Sequence, residues 1–232
     1  YSACFLMAMQ PSIFGKYWLV PILLLGSLIA STYTLGYMVM RRLLHVGKME
    51  YAFVSTLFVL MTIQFLWSYY DAFFWYNGAM YYTLYYSISL FLASLLIAYH
   101  LSHSVFAKII MAIISIALAI FIAGGNFVTG LGMPAILFAA IIWMKLERKK
   151  WPVFPIFFLL IYGGAFAFSV FAPGNAVRQA TVTSHPNVVA AFFMAIGKSV
   201  EFLADAIGIM EILVLTILAP VLARMAKASR FK

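Results

Sequence analysis

Long unbroken apolar runs, separated by short basic clusters, dominate this sequence of 232 residues. A helix of about 20 apolar residues crosses a bilayer core, and inside that core every backbone amide needs an internal hydrogen-bond partner. The strands of a membrane barrel would alternate apolar and polar residues, and these runs do not alternate. A composition of 66% hydrophobic and 9% charged residues also differs from that of soluble domains. The sequence therefore predicts an all-α integral membrane protein, with one polytopic membrane domain over residues 1–232.

Seven runs are long enough to be predicted as transmembrane helices. They cover residues 17–40, 51–70, 82–99, 107–123, 128–144, 151–172 and 206–223. The stretch from Pro186 to Asp205 differs, because Lys198, Glu201 and Asp205 recur on one helical face. We interpret this stretch as a helix at the membrane surface or as a partly buried first turn of the last span.

The basic residues predict the orientation of the spans. Lys and Arg cluster in the loops after the first, third and fifth spans and in the tail after the seventh. The loops at 71–81 and 124–127 contain neither, and the loop at 173–205 contains only Arg178 and Lys198. The positive-inside rule then places the N-terminus outside and the C-terminus in the cytoplasm. An odd number of spans with an outside start leads us to expect a further helix before Tyr1. The net charge of +9 is thereby explained without nucleic-acid binding.

The first outer loop, at 71–83, collects six aromatic residues around Asp71, Asn77 and Gly78. One interpretation is an aromatic belt at the level of the lipid headgroups. The other is a re-entrant loop whose rings stack on a sugar or a lipid chain. The carboxylate of Asp71 is suited to capping a helix, to acting as a general base or to coordinating a cation.

The two later outer loops contribute further polar candidates. Asn126 follows two glycines and is expected to cap the next helix. The sequence Pro173-Gly174-Asn175 predicts a turn. Arg178 lies outside despite the positive-inside bias, and its guanidinium suits a phosphate or a carboxylate; headgroup binding or an ion pair with an acid are the alternatives. The single cysteine and an isolated His185 predict no metal site.

Three short strings also resemble those of a known family. They are residues 74–81 (FWYNGAMY), 124–126 (GGN) and 172–178 (APGNAVR). Over about residues 50–185 the chain resembles a family of uncharacterised bacterial multispanning membrane proteins, which is distantly similar to the GT-C-type membrane glycosyltransferases. The resemblance implies transfer of a sugar from a polyprenyl-phosphate carrier to a cell-envelope glycan or lipid, at the outer face of the cell inner (cytoplasmic) membrane.

The clustering of polar and aromatic residues in the outer loops also carries expectations for individual residues. We predict that Asp71 is catalytic, by orienting the acceptor or a cation, although it follows a later helix than the GT-C acid and does not inherit that role. The predicted substrate-binding residues are Trp75, Tyr76 and Tyr81 for stacking, Asn77, Asn126 and Asn175 for hydroxyl groups, and Arg178 for the carrier phosphate. The expected partners are membrane lipid, the polyprenyl-phosphate-linked sugar and a second membrane protein. No cofactor is predicted, although a divalent cation is compatible with the chemistry.

GT-C enzymes usually place a catalytic acid directly after their first helix, and residues 1–16 contain no acid. We therefore expect either a fragment that lacks an N-terminal helix and outer loop, or a different mechanism. A second hypothesis is a transporter or flippase for a lipid-linked or anionic solute, with Glu211, Asp205 and Lys198 as an intramembrane relay. The sequence lacks the internal repeat typical of many transporters. A third hypothesis is a non-catalytic scaffold subunit.

Overall fold

The computed structural model describes residues 1–66, 68–180 and 187–206, together with 212, 214, 216, 218–220 and 223. These residues are 86% helical and contain no β-strand. The helices are α1 Ser2–Ala8, α2 Leu19–Gly36, α3 Lys48–Gln64, α4 Tyr76–Ala79, α5 Tyr85–Leu101, α6 Val105–Ala123, α7 Phe127–Arg148, α8 Val153–Val170, α9 Pro173–Ala180 and α10 Val188–Ala206. A 3₁₀ turn covers Pro11–Phe14, and π-helical segments cover Tyr37–Leu43, Tyr70–Phe74 and Met80–Leu84.

Five helices in the described part are long and apolar enough to cross a membrane, which makes this a multi-pass helical membrane protein. They cover Leu19–Leu43, Tyr76–Leu101, Val105–Ala123, Phe127–Glu147 and Val153–Val170. Five of the predicted spans coincide with them. In place of the predicted span at 51–70, α3 has 17 residues and ends at Gln64. The span predicted at 206–223 lies largely outside the described residues, so the count of seven stays a prediction.

The chain divides into two compact units, Tyr1–Phe171 and Ala172–Lys232. In the first unit, α2 and α3 run antiparallel. The Tyr33 hydroxyl lies 2.6 Å from the Thr56 hydroxyl, and the Tyr51 hydroxyl donates to the Tyr33 carbonyl at 3.0 Å. The chain then returns to the start of α2, where Phe73 joins Val20 in one buried cluster.

The later helices of this unit also alternate in direction. Tyr85 at the start of α5 stacks on Phe121 near the end of α6, with centroids 5.4 Å apart. At the opposite end, Tyr99 of α5 lies under the Lys108 ammonium of α6 and stacks on Phe154 of α8. The start of α5 and the start of α6 therefore lie at opposite ends of the bundle.

These contacts define two ends of the unit Tyr1–Phe171. The aromatic end contains α1, the start of α2, residues 65–66 and 68–84, the end of α6 and the start of α7. The basic end contains the end of α2, the start of α3, the end of α5, the start of α6, the end of α7 and the start of α8. All but one of the Lys and Arg residues of the unit lie at the basic end, namely Arg41, Arg42, Lys48, Lys108, Lys145, Arg148, Lys149 and Lys150, with Lys16 at the aromatic end. Within this unit, the predicted segregation of basic loops to one end is therefore observed.

Helix α1 lies across the aromatic end and is tied down by side-chain hydrogen bonds. The Ser2 hydroxyl donates to the Phe121 carbonyl at 2.6 Å. The hydroxyls of Tyr85 and Tyr76 donate to the Ser2 hydroxyl at 2.8 Å and to the Leu6 carbonyl at 2.6 Å. Burial raises the pKa of the neighbouring Tyr1 hydroxyl above its usual range. These bonds join α1 to the start of α5 and the end of α6.

Two glycines at the end of α6 allow this close packing. A Cβ atom on Gly125 would overlap the ring of Tyr85, and one on Gly124 would overlap the ring of Tyr1. Neither glycine has a positive φ angle, so space rather than backbone conformation requires glycine here. The two glycines thus let the rings of Tyr1 and Tyr85 pack directly against the backbone.

The described part of the second unit contains α9 and α10. The turn predicted at 173–175 is wrong, because Pro173 starts α9, and proline is favoured in the first helical position. The helix predicted over 186–205 is observed as α10, in which the Lys198 ammonium lies 2.6 Å from the Glu201 carboxylate.

Candidate functional site

Residues 65–66 and 68–84 form an irregular helical hairpin at the aromatic end. Two π-helical segments flank α4, and Trp75 between them has an extended backbone. Such π-helical turns are rare and often lie at functional sites. The Thr83 hydroxyl donates to the Ala72 carbonyl at 2.6 Å and thereby joins the two arms. The Ser68 hydroxyl accepts from the Asp71 amide at 3.2 Å. Side-chain hydrogen bonds therefore support the backbone on both sides of Asp71.

A cavity of about 560 Å³ opens beside this hairpin. We call it the Asp71 cavity. It is lined by Leu28, Thr62, Leu66, Ser68, Asp71, Ala72, Phe73, Trp75, Gly78, Tyr82, Thr83 and Tyr86. Leu28 lies roughly 13 Å along α2 from its start, at a rise of about 1.5 Å per residue. The cavity therefore extends from the aromatic end into the apolar part of the bundle.

Both threonine hydroxyls of the lining already donate hydrogen bonds within the protein. The Thr62 hydroxyl donates to the Phe58 carbonyl at 2.8 Å, and the Thr83 hydroxyl is occupied by Ala72. Asp71 is the one charged residue of the lining, and its carboxylate has no hydrogen-bond or ion-pair partner among the described residues. The Asp71 cavity thus presents a single carboxylate in a largely apolar and aromatic setting.

Three aromatic side chains of the lining are accessible. Trp75, Tyr82 and Tyr86 are 50%, 56% and 43% exposed. Tyr82 and Tyr86 are four positions apart, a spacing that places both on one side of a helix. These rings provide flat apolar surfaces beside the carboxylate.

Gly78 sets the position of Trp75. A Cβ atom on Gly78 would lie 2.6 Å from Cε3 of the Trp75 ring and 3.2 Å from the carbonyl oxygen of Asp71. Any larger residue would therefore have to displace the ring or the backbone at Asp71. Gly78 lies in α4, and its missing side chain leaves room for the Trp75 ring.

Two other predicted site residues, Tyr76 and Asn126, make hydrogen bonds that support the hairpin and do not line the cavity. Tyr76 is buried and bonded to Leu6, whereas Asn77 is exposed outside the lining. The side chain of Asn126 is buried, donates to the Tyr81 carbonyl and accepts from the Thr129 amide at 2.8 Å. The predicted capping role of Asn126 is thus confirmed. Substrate contacts by these residues stay predictions.

The remaining candidates belong to the second unit. Asn175 and Arg178 lie on α9, and the side chain of Arg178 is outside the described part of the structure. Asp205 lies on α10, and its side chain is also outside that part. His185 and Glu211 fall outside the described residues altogether.

Sequence reasoning missed part of the lining. The i, i+4 spacing of Tyr82 and Tyr86 was a signal that could have identified both rings. Leu28 and Thr62 come from α2 and α3, and no local pattern marks them. Only the packing of these helices against the hairpin brings them to the Asp71 cavity.

The residues do not form a resident metal centre in the part of the chain that the structure describes. No three His, Cys, Asp or Glu side chains come together there. Hard divalent cations take several oxygen ligands, and the Asp71 cavity offers one carboxylate. The lining therefore does not fit a tightly held divalent ion.

The chain matches no family model, and neither the curated proteins nor the solved structures compared with it give a match. The similarity of its three short strings to a GT-C-related family stays a prediction. The features of the molecule that bear on a function are therefore the geometry of the Asp71 cavity and the distribution of charge.

Proposed function

We propose that the chain is a membrane glycosyltransferase, or part of one, that transfers a sugar from a polyprenyl-phosphate carrier to a cell-envelope glycan or lipid. The observation that supports the proposal is the Asp71 cavity, where one unpaired carboxylate lies beside three accessible rings. Carbohydrates commonly stack their apolar faces on aromatic rings and hydrogen-bond to carboxylates through their hydroxyl groups. The cavity offers both kinds of contact.

The change in polarity along the cavity fits an amphiphilic substrate. Asp71 and Trp75 lie at the aromatic end, whereas Leu28 lines the part nearer the middle of the bundle, and Leu66 adds apolar surface to the lining. A lipid-linked substrate would place its chain along the leucines and its headgroup against the rings. Apolar surface removed from water stabilises such an arrangement by roughly 25 cal/mol per Å².

The proposed reaction is a displacement at the anomeric carbon of the sugar. An acceptor hydroxyl forms the new bond to this carbon, the bond to the carrier phosphate breaks, and the carrier leaves as polyprenyl monophosphate. Asp71 orients the acceptor hydroxyl and takes up its proton as a general base. Trp75 and Tyr82 hold the sugar or the acceptor by stacking.

The proposal keeps Arg178 as the ligand of the carrier phosphate. Its support is the sequence argument that a guanidinium retained in an outer loop suits a phosphate. The proposal also keeps the predicted orientation, with the aromatic end at the outer face of the cell inner membrane and the basic end in the cytoplasm.

Transfer from a labelled polyprenyl-phosphate sugar by the full-length protein in proteoliposomes tests the proposal. Replacing a general base typically lowers the rate about 10²- to 10⁴-fold, so we expect that loss for Asp71→Asn. Glu147→Gln removes a carboxylate at the basic end and should keep the activity. No transfer by the full-length protein, or equal transfer by Asp71→Asn, would contradict the proposal.

The role of Arg178 is tested separately. Arg178→Ala should raise the KM for the carrier-linked sugar, and Arg178→Lys should restore part of the binding, because lysine keeps the charge but not the bidentate geometry. Unchanged kinetics in both variants would remove Arg178 from the site. Solute uptake without sugar transfer would favour the transporter hypothesis instead.

A further inference from the structure

The Asp71 cavity combines a negative charge with aromatic walls, which is a composition suited to organic ammonium groups. We infer that the cavity binds an amphiphile whose headgroup carries an ammonium group. This inference rests on the proposed function only in identifying that amphiphile as the sugar acceptor. Binding itself does not depend on sugar transfer.

The distribution of charge favours a cation in this cavity. Asp71 is the one charged residue of the lining. The basic residues of the unit Tyr1–Phe171 lie at the other end, except for Lys16, which is exposed. Helix α2 has 18 residues, so the two ends are about 27 Å apart along it. This separation exceeds the Debye length of about 8 Å at physiological salt. The carboxylate therefore attracts cations.

The rings of the Asp71 cavity are free to hold such a cation. At the basic end, the Lys145 ammonium lies 5.0 Å from the centroid of the Trp151 ring, and Lys108 lies 5.6 Å from that of Tyr99. In the described part of the chain no lysine or arginine occupies the rings of Trp75, Tyr82 and Tyr86 in this way. Their faces remain accessible beside an unpaired carboxylate.

The cavity also has room for the rest of an amphiphile. Leu28 and Leu66 line its apolar part, where an alkyl chain would lie. A carboxylate has two oxygen atoms that accept hydrogen bonds. One oxygen of Asp71 can therefore face the ammonium while the other remains for an acceptor hydroxyl.

Native mass spectrometry of the full chain in a neutral detergent tests this inference. The protein is titrated with an alkyl trimethylammonium, an alkyl sulfate and an alkyl glucoside that share the same tail, and with tetramethylammonium, which has no tail. We expect the alkyl trimethylammonium to bind about tenfold more tightly than the glucoside, in line with cation–π and ionic attraction. Tetramethylammonium should bind more weakly than the tailed ammonium; equal affinity would exclude an amphiphile.

Matched variants locate the binding. Asp71→Asn and Trp75→Leu should each abolish the preference for ammonium, and Asp71→Glu should restore it. Glu147→Gln and Trp143→Leu remove the same groups from exposed positions outside the cavity and should keep the preference. If Asp71→Asn fails to fold, Trp75→Leu provides the same test.

Two results would overturn the inference. One is equal or tighter binding of the sulfate or the glucoside, and the other is an ammonium preference that persists in both Asp71→Asn and Trp75→Leu. A preference for the glucoside would be compatible with the proposed sugar transfer and would contradict only the ammonium site. Ammonium binding without sugar transfer by the full-length protein would contradict the proposed function and leave this site standing.

Discussion

The two ends of the unit Tyr1–Phe171 differ in how far their functional groups are already occupied. At the basic end, Arg41 donates to the Val46 carbonyl at 2.6 Å, and Lys145 lies over Trp151. At the aromatic end, the carboxylate of Asp71 and the rings beside it have no such partners in the described part of the chain. The comparison indicates that the aromatic end retains groups that a ligand can use.

The tyrosines of the aromatic end show a similar difference, because some are buried and hydrogen-bonded and others are exposed. The hydroxyls of Tyr76 and Tyr85 donate to α1, and both side chains are buried. Tyr82 and Tyr86 line the Asp71 cavity and are exposed. One class of tyrosine holds the hairpin in place, and the other is available for binding.

The largest expected effect separates these two classes. Tyr85 is fully buried and stacks on Phe121, so Tyr85→Ala should lower the free energy of unfolding by about 3–5 kcal/mol. Tyr82→Ala should change it by less than about 1 kcal/mol and impair ligand binding instead. Unfolding followed in maltoside micelles measures both values. A similar loss of stability in the two variants would remove the distinction.

The next effect concerns the close packing at the end of α6. Gly125→Ala should destabilise the protein by about 1–3 kcal/mol, because the added methyl group would overlap the ring of Tyr85. Gly132→Ala is the matched control, since nothing lies within 4 Å of a Cβ atom at that position. Thermal unfolding of both variants is the measurement, and equal midpoints would contradict this packing.

A smaller effect distinguishes two asparagines of the aromatic end. Asn126→Ala should cost about 0.5–2 kcal/mol of stability, the usual loss for a helix cap, because its side chain accepts from the Thr129 amide. Asn77 is exposed, so Asn77→Ala should leave stability unchanged. Chemical denaturation in mixed micelles compares them, and an unaffected Asn126→Ala would show that the cap is dispensable.

The smallest effect lies at the basic end. Lys145→Met should cost about 0.5–1 kcal/mol, the magnitude of an exposed cation–π contact, because it removes the ammonium from the Trp151 ring. Lys149→Met serves as the control for loss of charge alone. A shift in unfolding midpoint that is the same for both variants would mean that only net charge matters at this end.

The sequence predicted the parts of the fold that depend on local pattern. The apolar runs located α2 and α5–α8, and the glycine–asparagine string located the cap of α7. It did not predict that α3 ends at Gln64 or that some segments are π-helical. Tertiary packing selects the backbone hydrogen-bond pattern in these segments. Tyr76 illustrates the limit, since its hydroxyl partner is the carbonyl of Leu6, 70 residues away.

The residues of the candidate site also divide into those that the local sequence predicts and those that only tertiary packing brings together. Asp71 and Trp75 are four residues apart, and both line the cavity. Leu28 and Thr62 line it only because α2 and α3 pack beside the hairpin. The nearby Tyr81 and Asn126 contribute to support rather than to the lining, and nothing in the local sequence distinguishes them from Trp75.

We propose that the two ends lie on opposite sides of the membrane, with the Asp71 cavity outside. Labelling of single cysteines in intact cells with a membrane-impermeant maleimide tests it most directly. In a Cys4→Ser background, Asn77→Cys reports on the aromatic end and Lys149→Cys on the basic end, since both positions are exposed. The account predicts rapid labelling at position 77, and labelling at position 149 only after the cells are permeabilised. Labelling of position 149 but not of position 77 in intact cells would contradict it.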